Sequence, residues 1–431
     1  MVPHLITALT GPINELEQRM LDAMPAIERW FRLEWMEHTP AFYSAVDIRN
    51  AGFKLVPVDT SLFPRSWSSL TRDMLPLAVQ AAQAAIEKIC PEARNLLIVP
   101  DGQIDNSFYL ANLLQMRRIF ESAGLNVRFG SLDPAIKSPK ELKLHSGEKI
   151  VIEPLLRTRN RLGLKHFDPC TILLNNDLAA GVPGILEDLH EQYVLPPLQA
   201  GWSLRRKSNH LKTYEEVAKR FGKLLGIDPW LINPLHARLT DVAVGKPAGI
   251  EQVQTEVDAL LGRVRRKYKE YGITEKPFMA IKPDNGADVL PNGANVLIVR
   301  DAADLEMFGR KPRAAKEQRV ATDLILREGV LTNERVHDAV AEPVVYMLDR
   351  YVVGGYYRIH ADRTSDESTN APGSRYVPLA FAESHHLPQP GQQAGASAPN
   401  RFYMYGVIAR LAMLASSYEM EATDPQAEVY E

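Results

Sequence analysis

A lysine stands at the entrance to a polar turn between two apolar runs, and this arrangement could bind phosphate. Residues 278–281 and 296–299 have the composition of β-strands, and turn formers lie between them. Glycine N–H groups can approach phosphate oxygens closely, and Lys282 adds a mobile positive charge. The spacing matches neither the P-loop nor the GxGxxG motif, so a plain surface hairpin stays open beside a nucleotide lid. The nucleotide contacts predicted in this segment are Lys282, Asp284, Gly286, Gly293 and Asn295.

A second segment, residues 347–381, places charged side chains on strand-like sequence. Strand alternation puts Tyr356 and Arg358 on one face and Tyr357 on the other, so one face can carry a cationic site. Phosphoryl transfer depends mainly on positioning and on positive charge around the phosphates. We therefore predict catalytic roles for Lys282 and Arg358 and a further nucleotide contact from Arg350.

Hard oxygen ligands follow in the same segment. Asp366, Glu367 and Asn370 offer the carboxylate and amide oxygens that Mg²⁺ takes when it also holds the phosphates of a nucleotide. A polar loop after a hairpin is the alternative. The pattern predicts Asp366, Glu367 and Asn370 as metal ligands.

Strand and helix patterns alternate near the N-terminus, after an amphipathic helix predicted over residues 13–35. Strands at 54–58, 95–99 and 127–130, with helices at 71–90 and 107–123, predict an open α/β layer with a parallel sheet over residues 45–135. Ligands of such sheets bind beyond the carboxyl ends of the strands. The predicted substrate rim consists of Asp59, Arg65, Asp101 and Asn106.

Two basic clusters could bind a ligand that carries carboxylates, because a guanidinium matches carboxylate geometry with two parallel hydrogen bonds. Surface charge without a binding role is the alternative for each. The first cluster contains Arg157, Arg159, Asn160, Arg161 and Lys165, and the second contains Arg205, Arg206, Lys207, Asn209 and His210. The substrate contacts predicted from them are Arg159, Arg161, Arg205, Arg206 and Asn209.

The composition narrows the class of protein. The chain has 431 residues, 45% of them hydrophobic, and a net charge of −3, which gives no electrostatic footprint for nucleic acid. No apolar run approaches the length of a membrane span, and no secretory signal is visible. Two cysteines cannot form a disulfide framework. These features predict a cytoplasmic protein that binds neither membranes nor nucleic acid.

Several long segments resemble a known family. The stretches RLGLKHFDPCTILLNNDLAAGVP, GIDPWLINP and AEPVVYMLDRYVVGGYYRIH are similar to the proteobacterial type of glutamate-cysteine ligase, and the resemblance covers nearly the whole chain. It implies ATP-dependent formation of gamma-glutamylcysteine through a glutamyl phosphate, with Mg²⁺ assisting. It also implies an α/β, ATP-grasp-like multidomain ligase with small amino-acid substrates; we leave a homo-oligomer open.

The domain division expected from this resemblance has four parts. They are an N-terminal helix with an α/β substrate domain (1–140), a central α/β domain (141–272), a lid with the glycine-bearing hairpin (273–345) and a C-terminal ATP and Mg²⁺ portion with a closing helix (346–431). The loop ADVLPNGAN is longer and poorer in glycine than the family pattern, and other site loops are altered. A related ligase for a different amino acid or amine pair, and an inactive binding homologue, therefore stay open.

Overall fold

The structure is a computed structural model, and it describes residues 5–6, 12–243, 246–290, 295–306, 322–379 and 401–425. The helices are α1 Pro12–Asp22, α2 Met24–Glu37, α3 Leu75–Ile89, α4 Ser107–Ser122, α5 Lys207–Leu225, α6 Pro247–Glu270, α7 Ala302–Glu306 and α8 Phe402–Ala422. The helices predicted over residues 71–90 and 107–123 are α3 and α4, and their ends lie within four residues of those bounds.

The strands form three main sheets and a small hairpin within these ranges. They are β1 Leu5–Ile6, β2 Tyr43–Asn50, β3 Leu55–Ser61, β4 Asn95–Pro100, β5 Asn126–Ser131, β6 Lys140–Lys143, β7 Lys149–Pro154, β8 Leu156–Thr158, β9 Arg161–Gly163, β10 Thr171–Asn175, β11 Tyr193–Leu195, β12 His236–Leu239, β13 Met279–Pro283, β14 Leu297–Val299, β15 Leu324–Glu328, β16 Arg335–Val336, β17 Ala339–Leu348, β18 Tyr351–His360 and β19 Arg375–Pro378.

The first sheet, which we call the parallel sheet, has the order β11-β10-β4-β5-β7-β6, and only β6 runs against its neighbour. Its central strand is buried on both faces. Leu96 and Ile98 of β4 pack in the same core as α3 and α4, whereas Leu97 and Val99 pack in the core that contains α8. Covered faces explain the continuous apolar run of this strand, as expected for parallel sheets.

The second sheet, which we call the antiparallel sheet, contains β1, β2, β3, β16, β17, β18 and β19. One prediction, the placement of the strand at 54–58 in the parallel layer, is wrong. The strand predicted at 54–58 lies here as β3, paired antiparallel with β2, and not in the parallel layer. A connection of only four residues joins β2 to β3, too short for the crossover that parallel strands need. Apolar periodicity indicates a strand but does not name its partner.

The third sheet, which we call the cover sheet, has the order β12-β15-β13-β14, all antiparallel. It confirms the predicted hairpin, because Met279 of β13 pairs with Val299 of β14. The apolar side of α6 packs against this sheet through Val253, Val257 and Leu260. The hairpin is thus supported by a core of its own.

The predicted helix over residues 13–35 is two helices, α1 and α2, separated at Ala23. Pro25 stands at the start of α2, where its missing N–H is tolerated, but the same residue could not continue α1. The break turns Met24 outward, 37% exposed, although its spacing placed it on the apolar face. At the other end of the chain, α8 is buried on almost all sides.

The fold is mixed α/β, as predicted. The parallel sheet includes β4 and β10, which lie on either side of the predicted boundary at residue 140. The four-part domain division itself stays a prediction. In the part of the chain that the structure describes, no helix is both long and apolar enough to cross a membrane.

Candidate active site

A cleft of about 550 Å³ opens where the cover sheet faces the antiparallel sheet. Strands β13 and β15 form one wall, β3 forms the opposite wall, and the first turns of α5 close one end. Its lining is mostly basic and apolar. The lining residues are Pro57, Val58, Asp59, Thr60, Trp202, Arg205, Lys207, His210, Leu211, Tyr214, Ala280, Lys282, Ile325 and Arg327.

Strand geometry explains how the cover sheet presents its cations. Ala280 and Lys282 are two residues apart on β13 and therefore point to the same side. Their cross-strand partners on β15 are Arg327 and Ile325, respectively, and cross-strand partners share a face. One face of this two-strand unit thus delivers both Lys282 and Arg327 to the cleft.

The cations of the cleft repel one another. Burial, reinforced by the charge of Lys282, lowers the pKa of Lys207 to about 8. Burial and the nearby Arg49 lower the pKa of Arg327 to about 10, and burial also lowers the pKa of Lys282. Of the described lining residues only Asp59 is acidic, and its Oδ2 lies 3.9 Å from Lys282 Nζ. The cleft therefore carries an excess of buried positive charge, which an anion would relieve.

Beside these cations lies a buried hydrogen-bond network that includes Arg205 and His210 of the second basic cluster. Arg205 donates from Nε and Nη2 to both carboxylate oxygens of Glu419, at 2.9 and 2.8 Å. The same guanidinium donates to the Thr60 carbonyl oxygen, 2.8 Å away. Burial opposes the charge of Glu419, but Arg205 and His210 outweigh it and hold the pKa of Glu419 at about 2. The guanidinium of Arg205 is thus already paired with a carboxylate of α8.

Trp202 forms part of the cleft wall between this network and the cover sheet. The Lys207 ammonium lies 5.0 Å from the centre of the Trp202 ring, within the range of cation–π attraction. A Cβ on Gly286 would lie 2.4 Å from ring carbon Cε3 of Trp202, so only glycine allows this approach. Gly286 was predicted as a phosphate contact. In the structure it packs against the Trp202 ring instead.

Asp284 also has a different position from the predicted one. Its buried carboxylate accepts from the backbone N–H and the hydroxyl of Ser208, at 2.7 and 2.8 Å, and forms an ion pair with Arg238. This side chain joins the start of α5 to the cover sheet and so positions Lys207. Among the other predicted nucleotide contacts, Gly293 lies outside the described residues and Asn295 is exposed beside β14.

Arg350 lies far from the cleft, in the turn between β17 and β18. Arg358 follows it by eight positions, which corresponds to roughly 25 Å along β18. Its guanidinium lies over the ring of Tyr351 and near Asp349. The structure does not bring this predicted contact to the cleft.

Arg358 belongs to a second buried network beside the cleft. Its Nη1 and Nη2 donate to the carboxylate of Asp47, at 2.6 and 3.2 Å. Burial opposes its charge, but Asp47 outweighs burial and raises the pKa of Arg358. Glu342, the cross-strand partner of Arg358, accepts from Arg49 Nε at 2.6 Å. Asp47 is the cross-strand partner of Asp59, which lines the cleft.

Strand alternation on β18 agrees with the sequence prediction. Tyr357 and Ile359 pack in one hydrophobic core, and Tyr356 packs in another. Arg358 therefore lies on the same face of β18 as Tyr356, and it supplies the positive charge that was predicted for that face. It reaches Asp47, however, and does not line the cleft wall.

The loop with the predicted metal ligands packs against the same network. Arg49 donates from Nη1 to the Asp366 carbonyl oxygen at 3.3 Å. The Asp366 carboxylate forms an ion pair with Arg300 and accepts from the Thr364 hydroxyl. The Glu367 carboxylate pairs with Arg363, and Asn370 is exposed. Among the described residues no group of three histidine, cysteine or acidic side chains is arranged to hold a metal.

A mixed-charge cluster lies at the carboxyl edge of the parallel sheet, where the substrate rim was predicted. Arg65 Nη2 lies 2.7 Å from Asp101, after β4, and 2.6 Å from Asp177, after β10. The Asp177 carbonyl oxygen accepts from the Trp202 N–H at 2.8 Å, so the cluster borders the cleft wall. Asn106 caps α4 by accepting from the N–H groups of Phe108 and Tyr109.

The first basic cluster lies elsewhere. Arg159 is exposed in the turn of the small hairpin of β8 and β9, and Arg161 pairs with Asp168 and Glu191. In the second cluster, Arg206 donates to the carbonyl oxygen of Leu204, and Asn209 lies half-buried on the first turn of α5. Lys207 and His210 are the members of that cluster that line the cleft beside Arg205.

Sequence reasoning missed Arg327, Glu419, Asp177 and the pair of Asp47 and Glu342. One signal was available for Arg327, because a lone arginine within an apolar strand, LILRE, needs a partner or a ligand. Glu419 gave a similar signal within the apolar helix α8. The partners themselves lie hundreds of residues away and leave no local pattern.

Comparisons with known proteins identify the family of the chain. A glutamate-cysteine ligase family model matches residues 17–420. No curated protein sequence matches the chain. Among solved structures, the chain is similar to a Methylobacillus flagellatus KT protein that carries the provisional name gamma-glutamylcysteine synthetase. The identity is 48%, the alignment covers 98% of this chain and 100% of that chain, and the TM-score is 0.88. The resemblance predicted from sequence is thereby confirmed: the chain belongs to the glutamate-cysteine ligase family.

Proposed function

We propose that this ligase joins the side-chain carboxylate of glutamate to the amino group of cysteine, using ATP and passing through a glutamyl phosphate. One observation carries the proposal: four basic side chains and a single acid line a partly buried cleft, and the pKa values of Lys207, Lys282 and Arg327 are all lowered there. A triphosphate is an anion that matches such charge, because Lys207, Lys282 and Arg327 would each gain a phosphate oxygen as a partner.

The nucleotide site follows from this geometry. Lys282 and Arg327 on the cover sheet and Lys207 on α5 would hold phosphate oxygens, while Ile325 and Ala280 offer an apolar surface to the base. The cover sheet would act as a lid over the antiparallel sheet, with the nucleotide between two β-layers. This is the ATP-grasp-like arrangement expected from the resemblance.

Arg358 keeps a proposed role in catalysis, but through Asp47. Its Nε is buried and has no hydrogen-bond partner among the described residues, so the guanidinium retains one free donor. Asp47 is the cross-strand partner of Asp59, and Asp59 borders the cleft. Arg358 would thus compensate the negative charge of Asp47 near the phosphate site without contacting the phosphates itself.

Mg²⁺ is the metal that the family implies. The donor chemistry of Asp366 and Glu367 fits it, since Mg²⁺ is usually held by one or two carboxylates together with substrate phosphates. Asp366 forms an ion pair with Arg300, and Glu367 forms one with Arg363. Binding of the ion to Asp366 would therefore displace Arg300. When bound, the metal would neutralise phosphate charge.

The amino-acid substrate would bind at Arg65, Asp101 and Asp177. An amino acid carries both an ammonium and carboxylates, and this cluster presents both complementary charges within 3 Å of one another. Because the Asp177 carbonyl oxygen accepts from the Trp202 N–H, an amino acid bound here would lie beside the proposed phosphate site. A cytoplasmic location, where ATP is available and thiols stay reduced, stays a prediction, and a homo-oligomeric state stays open.

The test is synthesis by the purified protein. Incubation with ATP, Mg²⁺, glutamate and cysteine should give gamma-glutamylcysteine, detected by mass spectrometry, together with stoichiometric phosphate. Reactions that omit each component in turn are the controls. Phosphate release with another amino acid or amine, and none with this pair, would favour the related-ligase alternative. Failure to bind ATP in calorimetry would refute the proposal and favour the inactive homologue.

A further inference from the structure

His210 occupies a position in the cleft wall that the proposed nucleotide and amino-acid contacts do not use. Its Nδ1 lies 3.1 Å from Glu419 Oε2, and its Nε2 lies 3.1 Å from the Thr60 hydroxyl oxygen. A carboxylate accepts hydrogen bonds and cannot donate them, so Nδ1 must carry the proton. In the neutral imidazole Nε2 is then the acceptor, and the Thr60 hydroxyl donates to it. Glu419 thereby fixes the tautomer of the imidazole.

Glu419 is itself fixed. It is 1% exposed, and Arg205 binds both of its oxygens. A general base is typically a histidine oriented by a buried carboxylate. Here the other ring nitrogen contacts Thr60, which lines the cleft together with His210. The carboxylate would offset the charge that forms when Nε2 takes up a proton. A histidine used only for packing would not need this arrangement.

The proposed reaction needs such a group. The amino group of a free amino acid is largely protonated near neutral pH and cannot attack a carbonyl in that form. Even after attack, the new amide nitrogen must lose a proton. Two acids, Glu419 and Asp59, lie around His210. The other charged side chains there are cations, namely Arg205, Lys207, Lys282 and Arg327. Glu419 is already bound to Arg205, and Asp59 lies beside Lys282.

We propose that Nε2 of His210 accepts the proton of the attacking amine in the amide-forming step. This inference rests on the proposed function. The amine nitrogen forms a bond to the acyl carbon, the bond from that carbon to the phosphate oxygen breaks, and inorganic phosphate leaves with the electron pair. The N–H proton passes to His210 Nε2 and then to solvent. The hydrogen bond from Thr60 to Nε2 gives way to the substrate.

Hydroxylamine separates this role from a structural one, because it is unprotonated at neutral pH and attacks acyl phosphates without a base. In His210→Gln, whose amide can still donate to Glu419, synthesis of gamma-glutamylcysteine should fall about 100-fold. Formation of glutamyl hydroxamate from ATP, glutamate and hydroxylamine should stay within about threefold of the wild type. Ser416→Ala, which removes the other polar side chain near Nδ1, is the matched control and should leave both rates unchanged.

The outcomes are distinguishable. An equal fall of both rates in His210→Gln, or no fall in either, would overturn the assignment of His210. Absence of hydroxamate and dipeptide with the wild-type protein would instead refute the proposed function. If His210→Gln does not fold, the wild-type ratio of kcat for cysteine to kcat for hydroxylamine is measured against pH. The ratio should decrease towards acidic pH, and a constant ratio would contradict the proposal.

Discussion

Nucleotide binding should be coupled to protonation of Lys207. In the free protein, burial and Lys282 lower the pKa of Lys207 to about 8, from an ordinary value of 10.5. Phosphate oxygens would restore the ordinary value, because they favour the charged form. Above about pH 8 the protein must then take up a proton when it binds ATP. Linkage predicts that affinity for ATP falls about 30-fold between about pH 7 and about pH 9.5.

Calorimetry measures this proton directly. At about pH 9, ATP titrations in buffers of different ionisation enthalpy should report uptake of nearly one proton per nucleotide. Lys207→Met should remove most of the uptake and bind ATP more weakly near neutral pH. Lys207→Arg should keep the affinity and lose the uptake, since arginine stays charged.

Lys212→Met is the matched control, because Lys212 is an exposed lysine of the same helix. It should change neither the affinity nor the proton uptake. If the wild type binds ATP without proton uptake at about pH 9, or if Lys207→Arg still takes up the same proton, Lys207 does not contact the phosphates and the cleft assignment must be revised.

Three further predictions concern the neighbouring groups. Arg65→Ala should raise the KM for glutamate at least tenfold, about 1.4 kcal/mol of binding, and leave the Kd for ATP unchanged; a change confined to ATP would contradict the amino-acid site. The folded-state pKa of Glu419 is about 2, below its ordinary 4.5, so its ionised form stabilises the fold above about pH 4.5. That contribution, about 3 kcal/mol, should be lost as the pH falls from about 4.5 to about 2. Urea unfolding of the wild type and Glu419→Gln over this range checks it, and parallel pH dependences would refute it. Gly286→Ala should lower Tm and weaken ATP binding, because the added methyl group meets the Trp202 ring; an unchanged Tm would show that the tryptophan moves freely.

Sequence patterns determined the parts of this site that depend on neighbouring residues. The hairpin of β13 and β14 was predicted because two apolar runs flank turn formers, and hydrogen bonding between adjacent strands is a local event. Alternation placed Arg358 and Tyr356 on one face because successive side chains of any strand point to opposite sides. The long, unusual segments also gave the family correctly.

Tertiary structure alone decided which of the predicted charges line the cleft and which pair with another side chain of the protein. Arg205 looked like a carboxylate binder, and its carboxylate is Glu419, 214 residues away. Arg358 reaches Asp47 at a separation of 311 residues. A periodic pattern states which side chains share a face, but it does not state which element covers that face. The cationic cleft exists only because α5 packs beside the cover sheet, which brings together Lys207, Lys282 and Arg327. Burial in this cleft lowers the pKa of each of these three side chains.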